Sequence, residues 1–153
     1  MLIVSSFKTP VGWLEVSYNE HYLFQASFTE TPTQNNQSNS LTTLISQEIE
    51  QYFADPHYRF RLSLKPQGTS YQQRVWNALL VIPVGRSLSY GELASRLQSS
   101  PRAIGQACKS NPIALFIPCH RVVGKHNQGG YMGKPEALCY KIGLLKHEGL
   151  LSI

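Results

Sequence analysis

Ser89-Tyr90-Gly91-Glu92-Leu93-Ala94-Ser95-Arg96-Leu97-Gln98-Ser99-Ser100-Pro101-Arg102-Ala103-Ile104-Gly105-Gln106-Ala107-Cys108-Lys109 reads as two short helices joined by a tight turn. Ser89 and Glu92 have the spacing of a capping box, in which two side chains satisfy the open N–H groups of a helix start. The helix that they begin turns Leu93, Ala94 and Leu97 inward. Gln98-Ser99-Ser100 makes the turn, and Pro101 suits the first position of the next helix, where its missing N–H costs nothing. The pair predicts a helix-turn-helix. At about 100° per residue, Arg102, Gly105, Gln106 and Lys109 share one face of the second helix, and Ala103, Ile104, Ala107 and Cys108 share the other. Two cations, an amide and a glycine that permits close approach suit a phosphate backbone or groove. A solvated polar face has the same composition, and Cys108 is expected in the core.

Downstream stands Pro112-Ile113-Ala114-Leu115-Phe116-Ile117-Pro118-Cys119-His120-Arg121-Val122-Val123-Gly124. Five apolar residues bounded by prolines predict a short buried strand. Pro118 fixes its own φ and keeps Ile117 extended, so Cys119 is presented at a bend beside His120 and Arg121. An isolated cysteine is commonly a small buried hydrophobe. Here the neighbouring cationic and hydrogen-bonding groups are expected to lower a thiol pKa that is ordinarily about 8.5, which makes Cys119 the candidate nucleophile.

With 153 residues, 42% of them hydrophobic and 15% charged, the chain can bury one good core or two small ones. Its three cysteines, Cys108, Cys119 and Cys139, show no CxxC spacing, so neither a disulfide framework nor a structural zinc site is expected. No apolar run has the length of a membrane span, and Met1-Leu2-Ile3-Val4 is too short for a secretory signal; a cytoplasmic location is expected. Charge is divided unevenly. Residues 1–68 hold four lysines and arginines against six acids, a net −2, and residues 69–153 hold ten against three, a net +7. A polyanionic partner for the second half fits this asymmetry.

Toward the N-terminus, residues 2–28 alternate as a three-stranded meander, with turns at Thr9-Pro10-Val11-Gly12 and Asn19-Glu20. Residues 29–40, rich in Thr, Gln, Asn and Ser, read as a linker. Leu41, Leu44, Ile45, Ile49, Tyr52 and Phe53 predict a helix of about three turns, and Arg59 to Leu64 a further strand. His21 and His57 read as surface or packing residues. From Gln67 a second part begins: Ser70 and Gln73 suggest a capping box, and Tyr71, Val75, Trp76, Leu79 and Leu80 an apolar helix face that ends before Pro83. The expected fold is α/β of the α+β kind. A small antiparallel sheet plus helix occupies residues 1–66, and a mainly helical domain with the helix-turn-helix occupies 67–153.

In these motifs the chain resembles the O6-alkylguanine-DNA alkyltransferases, or methylated-DNA–protein-cysteine methyltransferases. The resemblance is densest over residues 67–149. It rests on Val75-Trp76, Ile82-Pro83-Val84-Gly85, Ser89 to Ala94, Arg102 to Ala107, Asn111-Pro112, Ile117 to Gly124 and Leu144-Leu145-Lys146-His147-Glu148-Gly149. It implies a ribonuclease H-like N-terminal domain and a monomer without cofactor, metal or membrane. The implied partner is double-stranded DNA containing O6-alkylguanine, with O4-alkylthymine as a further lesion. By the same resemblance the second helix enters the minor groove and the lesion is flipped out of the stack. Arg102 takes its place, Lys109 holds phosphate, and Ala103, Gly105, Gln106 and Arg121 join the DNA-binding set. Tyr90 assists rotation and protonates guanine N3. Cys119 attacks the alkyl carbon, helped through a water by His120, which Glu148 orients, while Asn111 braces the turn. The carbonyls of Cys119 and Val122 and the amide of Met132 read the base, and Tyr131 and Gly133 complete the pocket. A thioether has no easy reverse step, so each molecule would act once.

The sequence departs from many relatives in its short Ser99-Ser100-Pro101 turn, in Gly130-Tyr131-Met132-Gly133-Lys134 without a final glycine, and in a longer Pro135 to Tyr140 segment. Three other classes stay open at this point. They are a non-catalytic lesion binder, in which the nucleophile is replaced, a helix-turn-helix transcription regulator, and a Cys-His hydrolase.

Overall fold

The computed structural model describes residues 2–35 and 37–150; Met1, Asn36 and residues 151–153, which fall in the expected linker and at the outer ends of the expected domains, lie outside the described residues. The chain forms two compact units. One comprises the residues up to Gln67 together with Pro112–Phe116, and the other Gly68–Asn111 together with the residues from Ile117 onward.

In the first unit β1 (Ile3–Thr9), β2 (Gly12–Tyr18) and β3 (Leu23–Thr29) form an antiparallel meander in that order. Period-2 alternation sends Leu14, Val16, Tyr18, Leu23, Ala26 and Phe28 into the core. Thr9 closes the first turn, its Oγ1 accepting from the N–H groups of Val11 and Gly12. α1 (Ser40–Ala54) is capped reciprocally by Asn39 and Thr42 and buries Ile45, Ile49 and Tyr52. Its 15 residues extend one position beyond Leu41 and one beyond Phe53, the outermost of the periodic apolar residues.

Two expected strands are corrected. Arg59 to Leu64 is extended but joins the sheet only through Leu64 beside Leu23, with Leu23 N–H donating to Ser63 O at 2.9 Å. The Arg61 N–H goes instead to the Glu48 carboxylate of α1 at 2.5 Å, which also accepts from the Tyr58 hydroxyl. Ile113 to Ile117 is wholly buried, yet only Ile113 bridges β3, at Ala26. Residues 114–116 then turn, with Leu115 at φ +74°. An apolar run specifies burial on every side, and a tight turn satisfies that as well as a strand does.

The second unit begins with α2 (Ser70–Leu80), capped by Thr69 and Gln72 rather than by Ser70 and Gln73. Val75, Trp76 and Leu79 are buried while Leu80 is exposed, and the Trp76 indole N–H donates to Ala107 O at 2.9 Å. There follow β4 (Leu88–Ser89), α3 (Tyr90–Leu97), α4 (Pro101–Lys109), β5 (Val122–Val123) and α5 (Leu138–His147). Ser89 and Glu92 cap α3 as predicted. Gln98 takes the left-handed conformation in the turn, and Pro101 is the first residue of α4. α3 and α4 pack together as the expected helix-turn-helix. Among the described residues no helix is long and apolar enough to cross a membrane.

Candidate active site

β4 and β5 pair in parallel, Leu88 with Val122 and Ser89 with Val123. This short ladder fixes Tyr90, at the start of α3, relative to Cys119, three residues before β5. Pro118, at φ −81° and ψ 63°, forms an inverse γ-turn in which the Cys119 N–H donates to Ile117 O at 2.8 Å. A single 3-10 turn, Cys119–Arg121, follows. The candidate nucleophile is therefore mounted on two consecutive tight turns, and the side chain of Asn111 donates to Ile117 O at 2.9 Å and hydrogen-bonds the thiol.

Cys119 is 4% exposed, and burial pushes its thiol pKa up, opposed by the Asn111 hydrogen bond and the charge of Lys141. The expected lowering by His120 and Arg121 is thus corrected. Burial holds His120 below its ordinary value, and the Arg121 guanidinium is already committed. Arg121 Nε donates to Glu148 Oε1 at 2.8 Å, Nη2 to Oε2 at 3.1 Å, and Nη1 to Ile82 O at 2.7 Å. It is an internal clamp rather than one of the exposed cations.

Glu148 accepts from His120 Nε2 at 2.7 Å. Burial pushes the Glu148 carboxyl up, but the hydrogen bonds from His120 and Arg121 outweigh burial and hold it down to about 2. The ionised carboxylate fixes the imidazole tautomer, with the proton on Nε2 and the lone pair on Nδ1. That buried Nδ1 has no hydrogen-bond partner among the described residues. Gly149, at φ +79°, ends α5 in a Schellman motif, its N–H donating to Lys146 O and that of Leu150 to Leu145 O. The glycine thereby sets Glu148 at the helix terminus.

A cavity of about 410 Å³ opens beside the thiol, lined among others by Tyr90, Cys108, Lys109, Cys119, Met132 and Lys134. Two glycines let its loop close in. A Cβ on Gly129 would stand 2.6 Å from the Tyr90 hydroxyl, and one on Gly133 would stand 2.8 Å from Lys109 Cγ. Both have positive φ, as does Met132 at +54°. Burial raises the pKa of the Tyr90 phenol.

The sequence reading missed two functional neighbours. Lys141 is completely buried, donating to Val122 O at 2.6 Å and Gly130 O at 2.9 Å, with Nζ 5.8 Å from the centre of the Tyr90 ring. Burial lowers its pKa to about 8. Its signal was available: Lys141, Leu144, Leu145 and Glu148 follow the i, i+3, i+4, i+7 stripe, and a charge on a buried stripe needs a partner. Cys108 lies on the inward face of α4 as expected, but that face borders the cavity.

The remaining expected site residues separate clearly. Arg102, Gln106 and Lys109 are exposed, Gly105 is half-buried and lines the cavity, and Ala103 is half-buried beside them. Tyr131, Met132 and Gly133 line the cavity. Val122 is fully buried, its carbonyl accepting from Lys141.

Comparison with known proteins places this geometry. A profile described as 6-O-methylguanine DNA methyltransferase, DNA binding domain, matches residues 70–150. The methylated-DNA–protein-cysteine methyltransferase of Methanosarcina acetivorans is 36% identical over 151 residues, covering 94% of this chain and 96% of that protein. The crystal structure of the Mycobacterium tuberculosis O6-methylguanine methyltransferase superposes with a TM-score of 0.84 at 31% identity, covering 100% of this chain and 96% of that one. The structure of the M. tuberculosis OGT in complex with DNA gives a TM-score of 0.78 at 33% identity, covering 94% and 90%.

Proposed function

This chain belongs to the 6-O-methylguanine DNA methyltransferase family, and on that footing we propose that it repairs DNA by direct reversal, moving the alkyl group of O6-alkylguanine irreversibly onto Cys119. One observation carries the assignment to this residue: a cysteine fixed by consecutive tight turns on the wall of a roomy cavity, beside a buried His–Glu pair whose outer nitrogen is open.

DNA is the partner. The exposed face of α4, with Arg102, Gln106 and Lys109, meets its backbone and groove from the minor-groove side. The damaged base turns out of the stack into the cavity, and Arg102 fills its place. The thiol proton passes through one water to His120 Nδ1. The resulting imidazolium is stabilised by Glu148, so a thiol that burial keeps protonated at rest is ionised only when the site is engaged. Lys141 adds a positive charge that favours the thiolate. The S–C bond forms as the bond from the alkyl carbon to O6 breaks, and the released electron pair goes to the purine. Tyr90, whose phenol retains its proton at neutral pH, protonates N3 so that neutral guanine departs. The Met132 N–H donates to O6, and the free lone pair of the Val122 carbonyl, with the Cys119 carbonyl, accepts from the exocyclic amine.

The thioether leaves no path back, so one protein repairs one lesion. The lesion-binder reading is not favoured, because its proteins lack the cysteine that this site is built to hold. Action in the cytoplasm fits three unpaired cysteines. The test is intact-protein mass spectrometry with peptide mapping after incubation with a duplex carrying one O6-methylguanine. One methyl group on Cys119, saturating at one per chain, is expected. An unchanged mass from reduced protein that binds the duplex would overturn the proposal.

A further inference from the structure

The cavity wall holds a second sulfur that alkyl transfer does not use. Cys108, near the end of α4, is buried and lines the same cavity as Cys119, and a Cys119 thiolate disfavours ionisation of Cys108. Asn111 joins their carriers: its backbone N–H donates to Cys108 O at 3.1 Å, and its side chain donates to Ile117 O and bonds the Cys119 thiol. The backbone segments that carry the two thiols are therefore tied together before any ligand arrives. No histidine, aspartate or glutamate lines the cavity, and among the described residues no three such groups or cysteines gather anywhere as a metal site. Two thiols with no third donor do not meet the four-ligand demand of zinc, whereas they suit a soft centre satisfied by sulfur. The Lys141 ammonium acts on both sulfurs and favours their ionised forms.

We propose that Cys108 and Cys119 form a two-thiol site that captures trivalent arsenicals, with arsenic bridging both sulfurs inside the cavity. With phenylarsine oxide as the probe, two S–H bonds break and two As–S bonds form. The two protons leave with the arsenic-bound oxygen as one water, and arsenic stays trivalent throughout. Occupation removes the nucleophile, so the site couples exposure to thiol-seeking metalloids to loss of the alkyl acceptor.

The experiment treats the whole, reduced protein with phenylarsine oxide and reads intact mass and iodoacetamide protection by peptide mapping. One phenylarsenic group per chain is expected, with Cys108 and Cys119 protected together and Cys139 still labelled. The bridged adduct should survive excess glutathione and be released by 2,3-dimercaptopropanol. In Cys108→Ala and in Cys119→Ser the adduct should become displaceable by glutathione, its stability falling about 100-fold as two-point attachment is lost. Cys139→Ser, at an exposed thiol, should behave as the parent protein. Persistence of the glutathione-resistant adduct in either cavity variant would overturn the proposal, as would mapping to Cys139 or separate labelling of Cys108 and Cys119 in the unaltered chain. If a variant fails to fold, the paired protection in the unaltered chain decides alone. These readouts are masses of the free protein, so their failure leaves the alkyl-transfer reading standing.

Discussion

Glu48 and Glu148 are both buried carboxylates, at 4% and 6% exposure, yet their partners differ in kind. In the first unit Glu48 receives a tyrosine hydroxyl and a backbone N–H, groups that hold their protons at any physiological pH. It pins the 58–61 segment to α1. Glu148 receives an imidazole and a guanidinium, and the imidazole's far nitrogen is open. A buried carboxyl group thus fastens a segment in one place and, in the proposed mechanism, handles a proton in the other. The distinction lies in whether the chain of hydrogen bonds ends or leads on.

The sharpest way to break this contrast is a matched pair of substitutions. Glu148→Gln should slow alkyl transfer by about 100-fold or more, the usual range for disabling an acid–base group, in single-turnover assays on an O6-methylguanine duplex. Glu48→Gln should stay within about twofold of the parent rate while losing about 1–3 kcal/mol of stability in urea unfolding. Equal losses of rate would erase the distinction.

Acid tests the Glu148 side directly. The folded Glu148 titrates near 2 against an ordinary 4.5, so its contribution to stability is complete above about pH 4.5 and disappears as pH falls toward about 2. In urea melts over that window, Glu148→Gln should show a shallower loss than the parent protein.

Lys141 sharpens the contrast from the alkaline side. Its folded pKa of about 8 lies below the ordinary 10.5, so the unfolded chain holds more protons between those values and stability rises with pH across them. Lys141→Met should flatten that rise. It should also slow iodoacetamide labelling of Cys119 by about tenfold, through loss of a thiolate-favouring charge. Unchanged labelling would remove Lys141 from the electrostatics of the site.

The smallest effect is expected of Tyr58→Phe, which removes one hydrogen bond to Glu48. A small loss of stability in urea unfolding is expected, with no change in transfer rate.

What the sequence could convey follows from the range of the interactions involved. Ser89 with Glu92, and Pro101 at the head of α4, act within one helical turn and were legible as spacing. The meander was legible because alternation repeats the same instruction along each strand. The Ile113 to Ile117 run was misread, since five consecutive apolar residues carry no period. Arg121 was misplaced for a different reason. Its partner Glu148 lies 27 positions away, and nothing adjacent to an arginine shows whether its charge is already taken. Lys141 was overlooked among ordinary lysines, although its place on the buried stripe of α5 was visible. Cys108 was put on the correct face, but whether that face meets packed side chains or a cavity is decided by the glycine loop at 129–133.

The bridge between Ala26 and Ile113 bears on the order in which the molecule can be made. The N–H of Ala26 donates to Pro112 O at 2.9 Å, and Ala114 N–H donates to Ala26 O at 2.9 Å. During synthesis the ribosome releases β3 long before those partners exist, so the edge of the first sheet waits, unfinished, for residues from late in the chain. Its completion coincides with the arrival of Pro118 and Cys119. A nascent chain stalled before residue 112 would carry an open strand edge, the form of a sheet most exposed to wrong pairing. The first unit to emerge is therefore among the last to close.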